Sequence, residues 1–272
     1  MLIQHQIFHF VLSFSALAAF SNVALAETTL PLPRHADVYV VAHRGAHDGI
    51  PENTLAAYSR AIELGCDFVE IDVRTTKDGH LVSVHNATID AYAPGQSGKV
   101  KEMNLAELQA LDIGSRVHER WRQERIPTLE EVFALCSGKI GIYLDMKDAQ
   151  TDVVLRLVRA HGMENSCIWY ASPKQLREVA AMCPECLPMP DPGPEKLLPR
   201  MLESFKPSIV ASSFEQLSKA FVDTCHAAGA IVIVDESDAS SWKPMLEWNV
   251  DGIQTDDPAG LIAFLDGRQK EK

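Results

Sequence analysis

Short apolar runs that recur between helical patterns constrain this chain more than any other feature. Residues 38–42 (Val-Tyr-Val-Val-Ala) are apolar throughout, as a parallel strand buried on both faces should be. A helix is predicted over 52–65, with Leu55, Tyr58 and Ile62 at helical spacing and Gly65 as its stop. Further strand candidates lie at 68–74, 141–147, 166–171, 186–190, 208–213, 231–235 and 252–256, making eight with the first. Helical patterns follow most of them, at 151–161, 173–182, 195–204, 215–228 and 258–266. Such alternation predicts an α/β fold with a parallel sheet. Eight strands in 272 residues favour a (β/α)8 TIM barrel, with a doubly wound open sheet as the alternative.

Leu81 to His85 is one more apolar run, separated from the second strand by a short loop with an Asp78-Gly79 turn signal. A parallel crossover needs a dozen or more residues, so this segment must fold back as a hairpin. It opens an insertion of about 76–128, polar and partly helical, after the second strand. The weakest strand assignment is 186–190, because Pro188, Pro190, Pro192, Pro194 and Pro199 crowd the region.

Residues 1–26 carry no Asp, Glu, Lys or Arg, and an apolar stretch from Ile7 to Phe20 ends in small residues and Ala24-Leu25-Ala26. This order reads as a secretory signal peptide cleaved after Ala26, although His5 and His9 stand where Lys or Arg is usual. The expectation is a secreted or periplasmic protein with 27–272 as one barrel domain and no membrane span after cleavage. All six cysteines lie beyond the cleavage point. Cys183 and Cys186 have redox-motif spacing but no second such pair to complete a zinc site, so a local disulfide or two free thiols is the expectation. A net charge of −12 without clustered Lys and Arg argues against a nucleic-acid partner.

The chemistry gathers at strand ends. In the second strand, period two places Val69, Ile71 and Val73 on one face and Glu70 with Asp72 on the other. In the next barrel strand, Tyr143, Asp145 and Lys147 oppose Ile142, Leu144 and Met146. A parallel strand has no solvated face, and unpaired carboxylates inside a barrel are costly. Three convergent carboxylates instead suit a hard divalent cation, Mg²⁺ or Ca²⁺; a salt bridge from Lys147 is the competing explanation. His43 ends the first strand and His85 the hairpin, on the side where barrels carry their catalytic groups. Two imidazoles beside a metal site offer an acid and a base, and Arg44 with Lys147 can hold an anion, a set suited to phosphodiester cleavage. Asn53 reads as a helix N-cap and Glu52 as a residue supporting the site. His47, His80, His118, His161 and His226 read as surface or packing residues.

Val41-Ala42-His43-Arg44-Gly45, Pro51-Glu52-Asn53-Thr54, Glu70-Ile71-Asp72-Val73, Thr76-Lys77-Asp78-Gly79 and Val84-His85-Asn86 occur in that order. Pro127 to Glu131, Leu144-Asp145-Met146-Lys147 and Asp251 to Asp256 continue the pattern. Together these blocks resemble the glycerophosphodiester phosphodiesterase family. The resemblance implies a (β/α)8 barrel with a small insertion after the second strand. It also implies one divalent cation on Glu70, Asp72 and Asp145, acid–base catalysis by His43 and His85, and Arg44 and Lys147 near the substrate phosphate. The chain departs from the family at Asn86, where Asp is common, and at Asp145, where Glu is usual. Ala91-Tyr92-Ala93-Pro94 replaces a frequent Arg-Thr-Thr, and Asp235-Glu236 stands where an aromatic pattern is typical. Hydrolysis of a small glycerophosphodiester to glycerol 3-phosphate and an alcohol is the expected activity. The alternatives are a phospholipase D-like enzyme acting on intact phospholipids and a catalytically weak phosphoester-binding protein.

Overall fold

The computed structural model describes residues 30–269; the expected signal peptide lies outside them. Nine strands form: β1 (Tyr39–Ala42), β2 (Phe68–Thr75), β3 (Leu81–Ser83), β4 (Gly141–Met146), β5 (Cys167–Tyr170), β6 (Leu187–Pro188), β7 (Ile209–Ser213), β8 (Ile231–Asp235) and β9 (Gly252–Thr255). Eight run parallel in the order β6-β5-β4-β2-β1-β9-β8-β7, while β3 pairs antiparallel with β2. The fold is thus a nearly closed TIM barrel, and the run at 81–85 is a hairpin arm as its short loop requires.

At the seam between β6 and β7, Ala211 N donates to Pro190 O at 3.0 Å. Prolines have no N–H to give to a ladder, which is why β6 shrinks to two residues from the 186–190 expected.

Strand periodicity divides the apolar residues into two cores. Inside the barrel, Tyr39, Val41, Phe68, Tyr143, Ile168, Ile209 and Ile233 pack together. The opposite faces, including Val69, Ile71, Val73, Ile142, Leu144 and Met146, meet the surrounding helices. The insertion has a small core of its own, with Val84, Ile89, Tyr92, Leu108 and Ile126 among its members.

The helices are α1 (Leu55–Leu64), α2 (Leu105–Gln109), α3 (Leu129–Cys136), α4 (Thr151–Ala160), α5 (Pro173–Met182), α6 (Leu198–Phe205), α7 (Lys219–Ala227), α8 (Trp242–Glu247) and α9 (Pro258–Gln269). The periodicity reading has no counterpart for α3 or α8. α1 corrects the sequence expectation: its N-cap is Thr54, whose side chain accepts from Ala57 N, and not Asn53. Among the described residues no helix is long and apolar enough to cross a membrane. Cys183 and Cys186 form a disulfide between α5 and β6, and Cys66, Cys136, Cys167 and Cys225 are free and buried.

Candidate active site

Asp72 on β2 stands in register beside Asp145 on β4, and Glu70 lies one inward-facing position earlier. Both β2 carboxylates are buried. Glu70, Asp72 and Asp145 offer oxygens that all lie within 4.8 Å of one another. Burial, reinforced by Asp72 and Asp145, raises the Glu70 carboxyl well above its ordinary range. Asp145 is raised as well, chiefly by burial and against the pull of Lys147. Lys147 follows the end of β4 and reaches back to 2.5 Å from Asp145 Oδ2 and 2.9 Å from Asp72 Oδ1. Burial opposes its charge, but the two carboxylates outweigh that effect and raise its pKa. The salt bridge and the carboxylate cluster therefore coexist.

Arg44 is the other cation here, with its Nε 3.6 Å from Asp72 Oδ2. Three carboxylates thus face two cations, and their donor atoms are all oxygen. That excess of buried negative charge fits a hard divalent ion.

The His43-Arg44-Gly45 corner is built by backbone. His43 N donates to Thr255 O at 3.0 Å, fixing the end of β1 against the end of β9. Arg44 (φ 52°) and Gly45 (φ 84°) then turn the chain through left-handed conformations. A Cβ on Gly45 would lie 2.8 Å from Ala57 backbone and side-chain carbon, so only glycine fits. The turn aims Arg44 N at Glu70 Oε2, 2.8 Å away. Asn53, also left-handed at φ 54°, donates from Nδ2 to Asp72 Oδ2 at 2.8 Å. Its Oδ1 accepts from Tyr58 and Ser83 hydroxyls at 2.8 and 2.9 Å. Asn53 therefore orients a carboxylate of the cluster. Glu52 sits behind Arg44, accepting from its Nη1 at 3.2 Å, with Arg116 on its other side.

His85 is held by its own carbonyl, which accepts from Arg74 Nε and Nη2 at 3.0 and 2.7 Å. Its Nδ1 is 2.9 Å from Asn86 Oδ1. His43 Nδ1 is instead 2.7 Å from Asp256 Oδ1. One cavity of about 250 Å³ is lined by His43, Arg44, Glu70, Asp72, His85, Asp145 and Lys147. Seven of the nine sequence-predicted site residues thus meet in one place, with Glu52 and Asn86 each bonded to one of them.

Residues 43–183 match the family model described as the glycerophosphoryl diester phosphodiesterase family. A glycerophosphodiester phosphodiesterase of Caldanaerobacter subterraneus is 33% identical over 246 residues, spanning 83% of this chain and 97% of the relative. The chain belongs to this family. A phosphodiesterase from Oleispira antarctica, solved with the product sn-glycerol-3-phosphate, superposes with a TM-score of 0.77 at 26% identity, covering 84% of this chain and 96% of that one. The Agrobacterium tumefaciens glycerophosphodiester phosphodiesterase gives 0.73 at 27%, covering 83% and 99%.

Beyond the motifs of the glycerophosphodiester phosphodiesterase pattern that were read as catalytic, the fold adds residues to the site. Asp256 follows β9 and accepts from His43 Nδ1 and from His47 Nε2, the latter at 3.1 Å. Those two imidazoles hold its carboxyl far below the usual carboxylate range. His47, read from sequence as surface or packing, is therefore a neighbour of the site. Glu236 fastens this corner: it accepts from Thr255 Oγ1 at 2.5 Å, from Asp256 N at 3.2 Å and from Trp242 Nε1. Gln254 and Asp235 line the cavity opposite the carboxylates. The Asp251-to-Asp256 block was the available signal for Asp256. Gln254 lies in the same block, whereas His47 carried no signal.

Proposed function

We propose that this protein is a metal-dependent phosphodiesterase that cleaves glycerophosphodiesters to glycerol 3-phosphate and an alcohol. One observation carries the reading: His43 and His85 share a single small cavity with Glu70, Asp72, Asp145, Arg44 and Lys147. Family membership supports the same conclusion. Glu70, Asp72 and Asp145 would hold the cation, Mg²⁺ or Ca²⁺. Bound there, it supplies positive charge that polarises a phosphoryl oxygen and offsets charge developing in the transition state.

The protein's own groups do the rest. A carboxylate only accepts, so Asp256 fixes the proton of neutral His43 on Nδ1 and leaves Nε2 to take or give a proton. Asn86 Oδ1 does the same for His85. One imidazole takes the proton of the attacking hydroxyl and the other protonates the leaving alkoxide; each step contributes about 10² to 10⁴-fold. Arg44 lines the cavity and sets its guanidinium charge where a phosphate would bind. Lys147 adds a second positive charge at the same end of the cavity.

Release of glycerol 3-phosphate from glycerophosphocholine tests the reading, measured with chelator and after Mg²⁺ or Ca²⁺ is restored. Turnover lost to chelator and to either His43→Ala or His85→Ala supports it. Near-normal rates in both variants refute the acid–base scheme, and silence across a panel of diesters favours a phosphoester-binding protein.

A second reading has its own observation. A groove of about 870 Å³, with Met146, Leu176, Met201 and Phe205 in its lining, shares Asp145, Tyr170 and Asp191 with the catalytic cavity. Apolar surface thus adjoins the site between α5 and α6, not in the insertion. A phospholipase D-like activity predicts faster turnover of an intact phospholipid than of its deacylated counterpart. For localisation we propose secretion or the periplasm, supported by the leader pattern at 1–26 and by a disulfide suited to an oxidising compartment.

A further inference from the structure

We infer that the barrel mouth carries a second cation site, formed by His43 Nδ1, His47 Nε2 and Asp256, which takes a borderline transition metal such as Zn²⁺ and silences His43 when filled. The inhibitory part rests on the proposed function; the binding part does not.

The three donor atoms already converge. His43 Nδ1 and His47 Nε2 lie 2.7 and 3.1 Å from the same Asp256 oxygen. All three ligand atoms fall within 4.8 Å of one another. Their backbones are independently fixed: His43 N bonds Thr255 O, Ala46 N bonds Ala57 O, and His47 O accepts from Ile50 N. Asp256 is tied through its own N–H to Glu236. The site is open as well as ordered, since the Asp256 side chain is 67% exposed.

Ligand chemistry separates this cluster from the carboxylates below it. Two imidazoles and one carboxylate are a frequent zinc set, with a fourth position left for solvent or substrate. Mg²⁺ and Ca²⁺ prefer oxygen and go to Glu70, Asp72 and Asp145. Thiols offer no competing site, because two are in the disulfide and the other four are buried.

Filling the site changes the protonation pattern at His43 without removing a proton from the protein. The metal takes the Nδ1 lone pair, and the single proton of the neutral ring moves to Nε2. At His47 the metal takes Nε2 and the proton moves to Nδ1. His43 Nε2 then carries an N–H and cannot accept a proton from a hydroxyl, and its ring is locked in place.

The test uses tag-free protein saturated with Mg²⁺ and titrated with Co²⁺, whose visible absorption reports its ligands. One equivalent of Co²⁺ with nitrogen-type bands, displaced by Zn²⁺, is expected. His47→Gln should weaken that uptake by at least about 100-fold, since losing a ligand costs no less than the 10–100-fold that losing a group behind a ligand costs. Asp256→Asn should weaken it comparably. Zn²⁺ should also inhibit turnover, with the half-inhibitory concentration of His47→Gln, taken against its own zinc-free rate, rising by the same factor. Absent Co²⁺ uptake, or uptake unchanged in His47→Gln, overturns the site. Full zinc occupancy with undiminished turnover overturns the inhibition. A protein that turns over no diester fails the proposed function, while the Co²⁺ titration still decides whether the site exists.

Discussion

Asp256 Oδ1 lies 2.7 Å from His43 Nδ1, whereas the corresponding atom of His85 faces the neutral amide of Asn86. The two imidazoles are thus built unequally, and an imidazolium forming on His43 has a carboxylate behind it. Asp256→Asn keeps the shape but removes that charge and permits the wrong tautomer. We expect kcat to fall by about 10²-fold, the low end of what acid–base catalysis supplies. Mg²⁺ affinity should stay unchanged, because Asp256 is not among the carboxylates at β2 and β4. Steady-state kinetics with a Mg²⁺ titration checks both; an unaltered kcat removes Asp256 from the mechanism.

Gly45→Ala should unfold the corner that carries His43 and Arg44. The position combines φ 84° with a carbon 2.8 Å from where the new methyl would sit. Left-handed strain and overpacking each cost about 1–3 kcal/mol, so a loss of at least ~2 kcal/mol is expected in urea unfolding. Asp256→Asn, which disturbs no packing, serves as the comparison.

Strand positions were readable because parallel strands are buried on both faces and show as unbroken apolar runs. Glu70, Asp72 and Asp145 stood out as period-two interruptions of those runs. Asn53 was misplaced because capping preferences do not separate adjacent Asn and Thr, and tertiary contacts with Asp72, Tyr58 and Ser83 decided between them. Asp256 was legible only as part of a motif. Its role follows from the register that sets Ala42 beside Thr255, which exists only once the last strand joins the first. His47 depends on the same closure, and no local pattern announces a contact made more than 200 residues apart.

The free thiols should be inert in the folded protein. Burial pushes Cys66, Cys136 and Cys225 up to about 12, and Cys167 well above its ordinary value. At pH 8 a thiol titrating near 12 is thiolate about 10⁻⁴ of the time, and the thiolate is the nucleophile. Reaction with a disulfide reagent should be slow for native protein and reach four thiols on denaturation, or six after reduction. A fast-reacting thiol in native protein contradicts the burial of these four side chains.

Glu70→Gln should stabilise the chelated protein while abolishing its activity. The Glu70 carboxyl is raised by burial first and by Asp72 and Asp145 next. Its folded value thus exceeds the unfolded value of about 4.3. A group raised in this way favours folding below the unfolded value and loses that contribution as pH climbs through the folded value. In chelator at neutral pH, keeping a charge on Glu70 or taking up a proton to remove it therefore costs stability that glutamine does not lose, while the amide oxygen still accepts from Arg44 N. The difference between Glu70→Gln and the parent should shrink as pH is lowered from neutral toward 4. Adding Mg²⁺ or Ca²⁺ should raise the melting temperature of the parent more than that of the variant, because the ion replaces the missing counter-charge. Thermal unfolding across pH, with and without chelator, reads all three; a variant less stable than its chelated parent at neutral pH would show that Glu70 is a structural acid and not a cation ligand.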